Sequence, residues 1–166
     1  CSRQELDVEH AWIDIPEEVQ DKYRFYRSTP LVRAYALEKV LDTPAHIYFK
    51  NESVNPLGSH KINSAIPQCY YCKQEGITNV TTETGAGQWG AALSYAASVY
   101  GLSAAVYQVK ISMRQKPYRC SIMRTFGAEV TGSPSMSTRA GKDIITRDPN
   151  HQGSLGTAIS EAVELA

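Results

Sequence analysis

The sequence predicts an α/β protein built on a parallel sheet. Short runs of β-branched and aromatic residues, AHIYFKNE, NVTTET and AAVYQVK, alternate with helical stretches that end at Gly76, Gly101 and Gly127. That alternation is the mark of βαβ units. The composition agrees: 42% of the 166 residues are hydrophobic and 20% charged, values that suit a folded globular chain and not a disordered one.

Taken in order, IPEEVQDKYRFYR reads as a helix with Pro16 near its first position and two glutamates in its first turn. TPLVRAYALEKVL follows as a turn and a second helical or irregular stretch. AHIYFKNE opens the strand–helix series, and HKINSAIPQCYYCKQEG is its helix, which Pro67 should kink or restart. NVTTET and AAVYQVK are the next strands, with QWGAALSYAASVYG and KPYRCSIMRTFG as their helices and AEVTGS as a short last strand. STRAGKDIITRD and SLGTAISEAVELA both read as helices.

Lys+Arg and Asp+Glu balance at 17 each, which gives no electrostatic case for nucleic acid or a membrane surface as the main partner. No apolar run reaches the ~18–20 residues of a membrane span, and a signal-peptide pattern is missing. Cys69 and Cys72 have zinc-like spacing, but no second Cys or His pair lies at a matching distance. They are expected to be small apolar residues on a helix, with no metal bound and the thiols reduced in a cytoplasmic protein. The chain opens on Cys1 and stops inside an amphipathic stretch with neither glycine nor proline to end it, so it is expected to be part of a longer protein.

Ligands of parallel sheets bind where strands run into helices. Two such loops stand out, NPLGSHK (55–61) and ETGAGQWG (83–90). GAGQWG matches the dinucleotide-binding glycine pattern, but that reading needs an acidic residue after the next strand, and no Asp or Glu lies between Glu83 and Glu129. The same loop can instead present successive N–H groups, Thr84 through Trp89, to a carboxylate or phosphate. Glu83 beside such a cradle is placed to move a proton, or else to cap a nearby N–H. Lys61 follows His60 at the start of a helix. A lysine is a nucleophile only when neutral, which burial beside another cation favours, and a phosphorylated aldehyde cofactor would use such an amine. A solvated lysine in a first helical turn is the plain alternative.

The ordered motifs go further. GSHKINSA, ETGAGQWG, QKPYR (115–119) and GSLGTAISEAVE (153–164), together with RSTPLVRAYALEKVLDTPAHIYFKNE, resemble the tryptophan synthase β-subunit family of pyridoxal-phosphate enzymes from about Ile15 to Ala166. Trp89 is similar to the second, stand-alone-type branch, where the main branch carries histidine, and Ser28 departs from the family's usual proline. The resemblance implies the three-layer parallel-sheet fold of fold-type II pyridoxal-phosphate enzymes. It divides the chain into residues 1–99, carrying the cofactor lysine, and 100–166, similar to the family's mobile subdomain.

By the same resemblance Lys61 would bind pyridoxal 5'-phosphate covalently and later remove the Cα proton of L-serine, and His60 would contact the cofactor phosphate. Glu83 would assist loss of the serine hydroxyl, and Thr84, Gly85, Ala86, Gly87, Gln88 and Trp89 would hold the substrate carboxylate. Indole would complete the reaction to L-tryptophan, in a homodimer of the full-length protein whose need for an α subunit stays open. Two alternatives remain: another reaction of the fold, such as serine or threonine deamination, and a non-catalytic piece that needs its C-terminal part.

Overall fold

A computed structural model describes residues 4 and 6–166 and divides the chain into two compact units. Cys1 lies outside the described residues.

One unit runs from Ile15 to His60. Helix α1 (Glu17–Arg24) starts after Pro16, with Glu17 and Glu18 in its first turn and Lys22 and Arg24 in its last, each suiting the helix dipole. Strand β1 (Leu31–Arg33) leads to helix α2 (Tyr35–Val40) and strand β2 (Tyr48–Lys50). The Glu38 carboxylate ties these pieces together. It accepts from the Arg33 guanidinium at 3.0 Å and from the Ile47 N–H at 2.7 Å. The guanidinium first, and then that N–H, hold the Glu38 carboxyl below its ordinary range.

AHIYFKNE corrects one expectation. Its strand pairs antiparallel with β1, in the register Leu31↔Lys50, instead of joining the parallel sheet. A fully covered parallel strand buries both faces, whereas all three residues of β2 are exposed. The unit ends in a turn shaped by Asn55. Its Oδ1 accepts from the N–H groups of Leu57 (3.0 Å) and Ser59 (3.2 Å), and its Nδ2 donates to the Ser59 carbonyl at 3.0 Å. Gly58, at φ 62°, takes the left-handed conformation this turn needs.

The other unit holds residues 61–166 together with the described residues before Ile15. Its elements are α3 (Ile62–Gln74), β3 (Asn79–Thr84), α4 (Gln88–Tyr100), β4 (Ser103–Val109), α5 (Lys110–Gln115), α6 (Pro117–Thr125), β5 (Glu129–Ser133), α7 (Arg139–Arg147) and α8 (Leu155–Leu165). The expected parallel sheet is here, in the order β3-β4-β5 with Thr84↔Gln108↔Gly132 in register. Gly76, Gly101 and Gly127 follow α3, α4 and α6 at φ 76°, 71° and 81°, the left-handed stop that glycine adopts without a Cβ clash. Helix α3 runs unbroken through Pro67. The short α5 had no separate forecast.

Strand alternation sorts the two faces of the sheet. Tyr107 and Val109 pack with Ala158 and Ala162 of α8, and the Thr81 hydroxyl donates to the Ala162 carbonyl at 3.1 Å. Thr84, Val106 and Gln108 face the other way. A Cβ on Gly90 of α4 would sit 2.6 Å from Met123 Sδ, 2.9 Å from Val106 Cγ1 and 3.0 Å from Thr84 Cγ2. Helix α4 thus presses its start onto the sheet through a missing side chain, and helices cover both faces.

Helix α8 also secures α7. The fully buried Glu161 accepts at one oxygen from the Ser135 N–H (3.0 Å), the Ser135 hydroxyl (2.6 Å) and the Thr138 hydroxyl (2.7 Å). Glu164 accepts from the first N–H groups of α7, Arg139 at 2.6 Å and Ala140 at 2.9 Å. Gly141 is enclosed by this arrangement: a Cβ there would lie 2.2 Å from the Ser135 carbonyl oxygen and 2.3 Å from Glu161 Oε1. Alanine would raise helix propensity by ~1 kcal/mol, but overpacking costs about 1–3 kcal/mol and backbone atoms yield least. Gly141→Ala is therefore expected to lose ~2 kcal/mol net, read as a lower urea midpoint.

Burial pushes the Cys69 thiol up to about 12 on the inner side of α3, and Cys69, Cys72 and Cys120 are free thiols. Among the described residues no helix is long and apolar enough to cross a membrane.

Candidate active site

A cavity of about 370 Å³ opens at the C-terminal end of β3, where parallel sheets place their ligands. Lys61 supplies one part of its wall, and Glu83, Thr84, Gly85, Ala86, Gln88 and Trp89 another, with Leu155 from the start of α8.

Lys61 occupies the N-cap position of α3. Its carbonyl accepts from Ser64 and Ala65 at 3.1 and 3.0 Å, and its side chain is half-buried. Glu83, also half-buried, projects from β3 on the α8 side of the sheet, opposite in parity to Thr82 and Thr84.

The loop joining β3 to α4 is only three residues long, 85–87. Each glycine of GAGQWG has a different task. Gly85 borders open space: among the described residues nothing lies within 4 Å of a Cβ built there. Gly87, at φ 91° and ψ 0°, makes the left-handed turn into α4. Gly90 provides the close packing described above.

Side chains lock the turn. The Thr84 hydroxyl accepts from the Gly90 N–H at 3.2 Å, and the Trp89 indole N–H donates to the Thr82 hydroxyl at 2.7 Å. The N–H groups of Gln88 and Trp89, first in the helix, have no intrahelical acceptor. They lie in the positive field of the helix end, the arrangement that receives anions.

Seven of the nine residues singled out in the sequence therefore share one cavity. Gly87 lies beneath it, buried, and His60 is exposed at the end of the Ile15–His60 unit. Leu155 had no sequence signal, because only the fold brings α8 to β3.

Comparison with known proteins places the chain. The profile of the family "Pyridoxal-phosphate dependent enzyme" matches residues 23–157. The chain belongs to that family. It is 53% identical over 165 residues to tryptophan synthase beta chain 1 of Sulfurisphaera tokodaii, covering 99% of this chain and 39% of the relative. It is 55% identical over 158 residues to tryptophan synthase beta chain 2 of Thermotoga maritima, covering 95% and 37%. The chain thus spans well under half the length of these curated relatives. A fungal L-serine ammonia-lyase from Rhizomucor miehei shares the fold, with a TM-score of 0.59, 23% identity and coverage of 84% of this chain and 37% of that one.

The residues present fit the family's cofactor. An aldehyde carbon needs an amine at the cavity wall, and Lys61 is there; a phosphate or carboxylate group suits unpaired N–H groups at a helix start, and the start of α4 has them. Both belong to the same compact unit.

Proposed function

We propose that the intact protein replaces the β-hydroxyl of L-serine with indole, giving L-tryptophan and water. The observation that carries this reading is the 53% and 55% identity to tryptophan synthase beta chains across 99% and 95% of the chain. The shared cavity of Lys61, Glu83 and the 84–89 loop supports it.

Pyridoxal phosphate, when bound, supplies an electron sink for the charge that develops at the amino acid's Cα. Lys61 would hold the cofactor through its amine, and that amine is placed at the cavity wall to take the Cα proton. The N–H groups of residues 84–89 hold the carboxylate, which orients the Cα–H bond toward that amine. Glu83, one residue before the loop, gives a proton to the departing hydroxyl, so that water leaves, and takes one back as indole adds. The intact protein acts as a cytoplasmic homodimer.

The deciding assay mixes purified intact protein, pyridoxal phosphate and L-serine with and without indole, and measures tryptophan, pyruvate and ammonia. Tryptophan is expected whenever indole is present, and addition of an α subunit reads any dependence on that partner. Pyruvate and ammonia at the same rate with or without indole, and no tryptophan, would assign a deaminase instead.

A further inference from the structure

We propose that Gln108 is a positioning residue for the carboxylate cradle, gripping the 84–89 loop from its buried side when an amino-acid carboxylate is seated. The inference rests on the reading above that this loop receives such a carboxylate.

Gln108 is the penultimate residue of β4 and is 0% exposed. It is the register partner of Thr84, where the loop begins, and lies on the α4 face of the sheet. Its neighbours on the strand, Tyr107 and Val109, are apolar core residues. A long amide is a costly choice for this position unless both ends are used. One end is used: the Cys120 thiol donates to Oε1 at 3.1 Å. Burial pushes that thiol up, so it remains an S–H donor at neutral pH.

The other end is not used. Among the described residues, Nε2 is buried with no hydrogen-bond partner. Its direction is given by Gly87, where a Cβ would lie 3.2 Å from Nε2 and 2.7 Å from Arg119 Cβ. The orphan donor therefore sits directly beneath the turn whose far side faces the cavity.

Peptide geometry supplies the link. The N–H and C=O of one peptide unit point in opposite directions across a rigid plane. The Gly87 carbonyl is taken by the Ala91 N–H at 3.0 Å, but a peptide between Gly85 and Gly87 that turns its N–H toward an anion in the cavity turns its carbonyl toward the buried side. The donor waiting there is Gln108 Nε2. A loop carbonyl turned that way gives Nε2 an acceptor, so Gln108 favours the anion-binding orientation over others.

This role separates from a structural one by the sign of its effects. Removing a buried, unsatisfied donor does not harm the ligand-free fold, whereas removing a donor that acts only in the bound state weakens binding. The experiment uses the intact protein loaded with pyridoxal phosphate, titrated calorimetrically with L-serine in the absence of indole, for wild type, Gln108→Met and Gln108→Glu. The thermal midpoint is measured without amino acid.

Expected are an affinity at least threefold weaker in both variants and a Gln108→Met midpoint equal to or above that of wild type. Affinity changed less than threefold, or a loss of affinity together with a lowered Gln108→Met midpoint, overturns the proposal. So does failure of both variants to fold; if only one folds, its affinity decides. A wild-type protein that does not bind L-serine overturns the parent reading, a result distinct from equal binding by wild type and variants.

Discussion

Lys61→Ala is expected to abolish specific attachment of pyridoxal phosphate and to lower tryptophan formation by ~10³-fold or more. The measurement is borohydride reduction of the cofactor-loaded protein followed by peptide mapping. Wild type should carry one label, on the peptide containing residue 61, and Lys61→Ala should carry none. Unfolding would not account for the loss. Lys61 starts α3 through its backbone carbonyl, which accepts from Ser64 and Ala65, and alanine keeps that carbonyl. Lys61 is half-buried at the cavity wall, and losing its side chain there costs about 1 kcal/mol, so a thermal midpoint lowered by no more than a few degrees is part of the expected result. Labels spread over several lysines in wild type would sink the assignment, because the amine would then be no better placed than its neighbours.

Glu83→Gln is the second large effect. Glutamine keeps the size of the side chain and its hydrogen-bonding reach but cannot exchange a proton at neutral pH. Turnover is expected to fall ~10²–10⁴-fold, the usual worth of a positioned acid–base group. L-serine affinity should stay within a few fold, since the carboxylate is held by backbone N–H groups beyond residue 83. That split between turnover and binding distinguishes proton transfer from simple capping of a nearby N–H. A fall in turnover of less than tenfold would assign Glu83 to the structure of the strand.

Much of this could be read from residues alone. Glycine at the ends of three helices gave their limits, because a left-handed stop has a strong residue preference. NVTTET, AAVYQVK and AEVTGS gave the parallel sheet. The partner of β2 was not legible, since β-propensity reports that a stretch is extended and not what it pairs with. The continuity of α3 through Pro67 was lost for a related reason: Ile66 and Cys69 are buried on either side of it, and tertiary packing outweighed the local cost of proline. Six-residue α5 lacks a side-chain cap, so nothing in the sequence marked its start.

The site divides in the same way. Lys61, Glu83 and the 84–89 loop announced themselves because each is chemically unusual where it stands, at the carboxyl end of a strand or the start of a helix. Leu155 reaches the cavity only through the fold. Gln108 looks in sequence like a solvent-facing strand residue, and its burial depends on α4 and α6 arriving from elsewhere in the chain. Trp89 drew notice because tryptophan there resembles the second branch of the family, but its tie to Thr82 across the turn required coordinates.

The brevity of the turn from β3 to α4 has one further meaning. With only residues 85–87 between strand and helix, and both ends fixed by Thr84 and Trp89, Glu83 and the first N–H groups of α4 belong to one short piece of backbone. On the proposed function, the backbone then sets how far a carboxylate held at the start of α4 lies from the Glu83 Cα, and the glutamate's side-chain torsions supply the rest of the reach. The turn is on that reading a ruler for the amino acid's carboxylate end, and the Glu83 side chain is the part that adapts to the leaving group.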